Sequence, residues 1–290
     1  QFLFLPGLFI IFSPVAYSKR PVKGGGTMAT EQNLSEKELL RQETYGRSFS
    51  GLPLKAFLWG EGSTPLLFLG SLEGQKASAD FLMYFAKELC KGLSHGKFLC
   101  KTNPAFIFST KKLFFLPNPN PEASLLREND LDDTHPLYRR LEGLLRNIPP
   151  EKRGFNLRGV AVEKNFNYRF GESAQKIPDF SENPGTFPES EPETKALGHL
   201  LRSLSPRAVL HFKVGGSCLL PPVPRNSALE HLLLRQTPFL PLADTPAGSL
   251  EGWLAEELSC AVVRIPLSSE ESPEKSFQKL LPFLASVLTL

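Results

Sequence analysis

Apolar and polar positions along the chain divide it into alternating strands and helices. The run Leu66–Leu69 is wholly apolar and stops at Gly70, and a helical repeat follows with Phe81, Leu82, Phe85 and Leu89 on one face. An unbroken apolar run of that length reads as a strand covered on both faces, as in a parallel sheet. Arg207–Phe212 and Cys260–Ile265 read the same way, so Leu66–Leu69, Val209–His211 and Val262–Ile265 are expected on central strands. Tyr45 to Trp59 reads as two strands about a Gly/Pro turn, and Ala105–Ser109 and Leu113–Leu116 as further strands ahead of the Pro117–Pro121 loop.

Helices are expected from a Ser35–Glu38 capping box, over Leu137–Asn147, and after Ser190, with Glu193 completing a second box and Leu197, Leu200, Leu201 and Leu204 buried. Two more are expected at Ser249–Leu258 and at Glu274–Leu288, where Pro282 would kink the helix. Strands alternating with helices predict an α/β fold with a mixed, largely parallel central sheet and helices on both faces. Such sheets bind ligands beyond the carboxyl ends of their strands. The loop Ser71–Lys76, which offers Glu73 and Lys76, is therefore the first place to look for chemistry.

Composition narrows the function classes. The 290 residues suffice for one large α/β domain, and a net charge of +3 with its Lys and Arg spread along the chain gives no case for nucleic acid. Twenty-six prolines and 23 phenylalanines point to long structured loops and a Phe-rich core. Four cysteines without C-x-x-C spacing read as free thiols in a reducing compartment. There is no G-x-S-x-G, and Gly24–Gly26 lacks the strand–loop–helix setting of a phosphate loop. Cys218 could meet His211 as a nucleophile–base pair, although a buried inert thiol is the commoner use of such a residue.

Residues 1–27 stand apart from residues 28–290, which read as a single domain. Residues 1–16 are strongly apolar but short and Pro-broken for a bilayer span. Lys23–Thr27 before Met28 reads as a ribosome-binding site translated by mistake, which puts the start at Met28 and the protein in the cytoplasm. The alternative is export or membrane anchoring through residues 1–16.

Five segments in order resemble the zinc carboxypeptidases, in particular their murein peptide amidase branch. They are Tyr45–Ser48 with Gly51 and Pro53-Leu54; Asn120–Ala123; Asn156–Val160 with Asn165-Phe166; Pro184-Gly185 through Ser190–Thr194; and Thr245-Pro246 with Gly248–Trp253. The resemblance implies a carboxypeptidase-like domain, a zinc ion held by a His-x-x-Glu pair and a later His, and action on peptides.

The positions that carry that chemistry differ here. Those matching the ligands read Glu73, Lys76 and His211, and the one matching the catalytic base reads Arg264. An ammonium has no lone pair for a metal, and a guanidinium does not deprotonate at neutral pH. The dipeptide matching the substrate-carboxylate clamp reads Glu163-Lys164, and the oxyanion-stabilising position, two residues before Asn156, reads Gly154, with Arg153 one residue off.

The expectation is thus a non-catalytic homologue without zinc or other cofactor. Its cleft would be lined by Glu73, Lys76, Arg153, Asn156, Glu163, Lys164, His211 and Arg264. Ion pairs such as Glu73–Lys76 or Glu73–Arg264 would replace the metal, leaving a cleft charge near +1 from two carboxylates and three cations. A peptide or peptidoglycan fragment is the expected ligand. An active hydrolase with a rebuilt site, and a structural or partner-binding protein, are the alternatives.

Overall fold

The protein is described from a computed structural model over residues 36–128, 142, 145–174, 182–242 and 244–290. The readings of residues 1–27, of Ser35 as a cap and of most of the 137–147 helix lie outside these residues. Six strands form one mixed sheet: β1 (Arg41–Arg47), β2 (Pro53–Trp59), β3 (Thr64–Leu69), β4 (Lys111–Leu116), β5 (Ala208–Val214) and β6 (Ala261–Leu267). Their order across the sheet is β1-β2-β4-β3-β5-β6. The β1–β2 and β2–β4 pairs are antiparallel, and β3–β4, β3–β5 and β5–β6 are parallel.

Alternate residues of β3, β4, β5 and β6 feed two separate cores, which is why their sequences are largely apolar. Leu66, Phe68, Leu113, Phe115, Leu210, Phe212, Val263 and Ile265 face one layer. Helices Lys76–Ser94, Asn226–Gln236 and Pro273–Val287 cover it. Phe68 stacks on Phe115 at 5.0 Å and meets Phe85 edge-on at 5.2 Å, so the phenylalanines do form a core. Leu67, Leu69, Phe114, Leu116, Val209 and Val262 face the other layer, under helices Pro192–Leu204 and Leu250–Glu257. Among the described residues no helix is long and apolar enough to cross a membrane.

Three expectations need correction. Residues 105–109 are not a strand but part of a helix, Pro104–Thr110. Asn103 caps it by accepting from the Ala105 amide, Pro104 is at its first turn, and Phe106 is 55% exposed. A short apolar run does not separate strand from helix by periodicity. The helix expected after Ser190 begins one residue late, with Glu191 at the cap position and no side-chain cap bond, because the Ser190 hydroxyl is used by Asn165 and Glu191.

The third concerns β6, which is an outer strand, not a central one. It reads as buried because Val263 and Ile265 enter one core and Val262 the other, while other segments cover its free edge. Leu219 bridges Arg264 through both backbone groups, at 2.8 and 3.2 Å. The Asn226 side chain accepts from the Val262 amide at 2.7 Å and donates to Pro221 O at 2.5 Å. Replacing Asn226 by Ala would leave a buried strand amide and a carbonyl unsatisfied, and the expected loss is about 1–3 kcal/mol. Urea denaturation checks it; an unchanged midpoint would mean that the edge is held by other contacts.

Candidate functional site

Beyond the carboxyl ends of β3, β5 and β6 the loops are fixed tightly. Gly74, at φ +67°, closes the β3 turn where any Cβ would meet the Ser124 amide at 2.3 Å. Asn120 donates to Leu72 O, and the Gln75 amide makes paired bonds to Val214 N and O at 2.8 and 3.0 Å, joining this loop to the end of β5. Glu163 sits in a single turn, Val162–Lys164. Glu251 is in the first turn of helix Leu250–Glu257, where Ser249 accepts from the Gly252 amide and the helix N-terminus favours a carboxylate.

On β5, residues two apart share a face, so His211 and Lys213 point the same way as Glu251, and Arg264 of β6 is the register partner of His211. The result is a string of alternating charges. Glu251 is fully buried; its Oε1 lies 2.6 Å from His211 Nδ1 and 2.8 Å from Arg264 Nε, and its Oε2 3.0 Å from Arg264 Nη2. Arg264 Nη1 then reaches Glu163 at 3.2 Å. Both Glu163 oxygens accept from Lys213 Nζ at 3.0 and 2.9 Å, and Nζ also donates to Glu73 at 2.8 Å. Arg127 closes the string on Glu73, donating to its backbone oxygen at 2.6 Å and lying 3.5 Å from its carboxylate. Side-chain exposure rises from 0% at His211 and Glu251 to 28% at Glu73, so the string opens to solvent at the Glu73 end.

Burial alone would lift the Glu251 carboxyl's pKa; the Arg264 guanidinium and the His211 imidazole overcome it and hold the group well below the usual carboxylate range. Glu163 is likewise held down, against burial, by Lys213 and Arg264. Burial would pull the Lys213 ammonium down, but Glu163 and Glu73 leave it raised. An ionised carboxylate only accepts, so Nδ1 of His211 carries the proton facing Glu251. Nε2 of the same ring is buried and has no partner among the described residues.

The residues singled out from the sequence divide into two groups. Glu73, Glu163, His211 and Arg264 lie on the string. Glu73 pairs with Lys213 and Arg127 instead of Lys76 or Arg264. Lys76 is exposed at the start of its helix and makes no ion pair among the described residues. Lys164 pairs with Glu182. Arg153 is buried and donates to the backbone oxygens of Leu126, Leu145 and Ile148. Asn156 ties its own loop, accepting from the Arg158 and Val160 amides.

Lys213, Glu251 and Arg127 were missed. Strand alternation after His211 could have found Lys213, and the Ser249 cap could have pointed to Glu251; Arg127 carried no signal. With them the string holds three carboxylates (Glu73, Glu163, Glu251) and three cations (Arg127, Lys213, Arg264), hence zero formal charge with His211 neutral, not +1. Cys218 is packed in the core on the opposite face of the sheet, its thiol pushed up to about 11 by burial, and is no partner of His211.

Zinc needs three or more deprotonated protein donors. Here the Glu73 oxygens face Lys213 and Arg127 and Lys76 is an ammonium, so of the three positions only His211, through Nε2, keeps a free donor. These positions do not fit a zinc ion, and among the described residues no three His, Cys, Asp or Glu side chains gather in a way that could hold a metal.

A second buried acidic group lies nearby. Glu122 accepts from the Ser50 and Leu157 amides, Glu193 from the Phe49 amide, and Asn156 Nδ2 donates to Glu191 at 2.8 Å and Glu193 at 3.3 Å. Among the described residues no cation pairs with Glu193. Burial, and then the Glu122 charge, push it up to about 7.

Six strands in the order β1-β2-β4-β3-β5-β6, with helices on both faces, make a zinc-carboxypeptidase fold. Bovine thrombin-activatable fibrinolysis inhibitor superposes with a TM-score of 0.60 at 14% identity, covering 87% of this chain and 90% of that one. Carboxypeptidase A from Helicoverpa armigera gives 0.58 at 12% identity, covering 86% and 67%. The chain is similar in sequence to murein peptide amidase A of Escherichia coli (strain K12), at 34% identity over 136 residues, 41% of this chain and 54% of that protein. It thus spans about half the length of the curated relatives it matches. The murein-tripeptide amidase of Escherichia coli O157 superposes with a TM-score of 0.52 at 20% identity, covering 86% of this chain and 92% of that one. No family model matches the chain.

Two outcomes test the electrostatics. Glu251→Gln is expected to cost about 3–5 kcal/mol in urea denaturation at neutral pH, because it strands Arg264. Glu251→Leu combined with Arg264→Leu should cost less than that single change; a larger cost would mean that the pair contributes net stability.

The pH dependence has two arms. Glu163 and Glu251 are depressed, so the stability they contribute is present above about 4.5 and is lost as pH falls through their lower folded values. Glu193 is raised, so its contribution is complete below 4.5 and is lost as pH rises to about 7. Glu193→Gln should therefore gain on the wild type across that interval, by up to about 1.4 kcal/mol per pH unit. A stability difference independent of pH would place the Glu193 carboxyl's pKa at an ordinary value.

Proposed function

We propose that this chain is a non-catalytic homologue of the zinc metallocarboxypeptidases and murein peptide amidases. Its cleft, beyond the carboxyl ends of β3, β5 and β6, would bind a peptide or peptidoglycan-derived ligand without hydrolysing it. Arg264 is the observation that carries the first part. It matches the position of the family's catalytic base, and its guanidinium is fixed by two bonds to Glu251 and a contact to Glu163. Those carboxylates raise its pKa further, against burial, so it takes no proton from a water. The choice of ligand rests on the likeness to murein peptide amidase A.

The competing reading, an active hydrolase with a rebuilt site, draws on the unpartnered Nε2 of His211, whose lone pair is available to a ligand or metal. Elemental analysis and incubation with a murein tripeptide separate the two. The purified protein is expected to carry no stoichiometric zinc and to leave the tripeptide intact. About one zinc per chain, lost in His211→Ala and accompanied by cleavage, would overturn the proposal.

Restoring the family's ligands by Glu73→His with Lys76→Glu is expected to give little activity. Arg264 would still leave the water without a base, and the altered clamp at Glu163-Lys164 forgoes positioning worth up to about 7–11 kcal/mol of barrier. Arg264→Glu is the minimum further change. Cleavage by the double variant at the rate of an ordinary amidase would show that Arg264 does not stand at the base position.

A further inference from the structure

Resting on the reading of this cleft as metal-free, we propose that Lys213 is a tethered cation. Its ammonium fills a two-carboxylate site between Glu73 and Glu163 and keeps divalent metal out of it. Three observations carry this. The ammonium has three donors, and three carboxylate oxygens accept from it at 2.8, 2.9 and 3.0 Å.

The site's walls come from separate elements, each fixed without help from Lys213. Glu73 is held by the Ser71 hydroxyl on its amide and by Arg127 on its backbone oxygen. Glu163 is held by the Lys164 amide bond to Ala161 O that closes its turn, and by Arg264. The position along β5 is locked as well, because the residue after Lys213 is bound at both backbone groups by Gln75. The cation is therefore delivered to fixed carboxylates by strand register, as a metal ion would be delivered from solution.

Without Nζ, the buried Glu163 and the partly buried Glu73 carboxylates would share one region, a situation relieved by protonation or by a cation. An all-oxygen donor set suits a hard divalent ion such as Mn2+ or Ca2+ better than zinc. The carboxylates would then act through the charge they already share, with the backbone unchanged.

Mn2+ is a suitable probe, since electron paramagnetic resonance counts the free ion. Wild type is expected to bind none at this site, and Lys213→Arg to stay equally free of metal. Lys213→Met should bind one Mn2+ at least about tenfold more tightly than wild type, and adding Glu163→Gln should abolish the gain. Thermal unfolding in EDTA and in Mn2+ covers the case of a destabilised variant. Lys213→Met or Lys213→Gln recovering a cooperative transition only with Mn2+ supports the proposal. A variant that stays unfolded with Mn2+, or folds and binds no more Mn2+ than wild type, overturns it. Zinc found on wild-type protein and lost in His211→Ala would sink the non-catalytic reading alone, provided it survives Glu163→Gln.

Discussion

A carboxylate withdrawn from water must find compensation within hydrogen-bond reach, and Glu251 sets that demand at the heart of this protein. It is fully buried where helix Leu250–Glu257 starts against β5 and β6. Removing an ion from water costs several kcal/mol even after relaxation, so an isolated Glu251 would protonate or unfold its surroundings. His211 and Arg264 answer it, but Arg264 is itself nearly buried and brings in Glu163, which in turn requires Lys213, then Glu73, then Arg127. From Glu251 to Glu73 each step hands the excess charge to a more exposed neighbour, and Arg127 closes the string. The string ends where solvent can screen what is left.

This chain of dependence explains why these charged side chains occur together. An arginine at the position of Arg264 is tolerable beside a buried Glu251, and a glutamate at 163 is tolerable beside that arginine. A glutamate at 73 is tolerable once Lys213 lies 2.8 Å away. Any one of these side chains alone would be an unpaired charge in a low-dielectric setting. Their joint presence is a consistent solution, and its formal neutrality is what permits burial.

The sheet was legible where one physical signal dominated. Leu66–Leu69 reads as doubly buried because Leu66 and Phe68 enter one core and Leu67 and Leu69 the other. The same signal misplaced β6, since an apolar run reports that both faces are packed but not whether the edge pairs with a further strand; here Leu219 and Asn226 cover it. At residues 105–109 the apolar run was too short to choose between periods, and the Asn103 cap with Pro104 decided for helix. In the site, motif order led to Glu73, His211, Glu163 and Arg264 but not to their partners. Glu251 is 40 residues from His211 and Arg127 is 54 from Glu73, separations that only the folded chain closes.

The two buried acidic groups solve one problem in opposite ways. Glu251 and Glu163 stay ionised because guanidinium and ammonium groups come within about 3 Å, where Coulomb attraction at an effective protein dielectric outweighs desolvation. Glu193, close to Glu122 and served by backbone amides and the Asn156 side chain, has no such partner among the described residues and gives up its charge near neutral pH instead. Neutral donors stabilise a carboxylate less than a cation does. What separates the groups is the sign of the nearest side chain, not the depth of burial, since Glu251 and Glu193 are both all but inaccessible. The turn at Phe49, tied to Glu193 through its amide, thus depends on protonation, whereas the pairs of Arg264 with Glu251 and Glu163 stay intact at neutral pH.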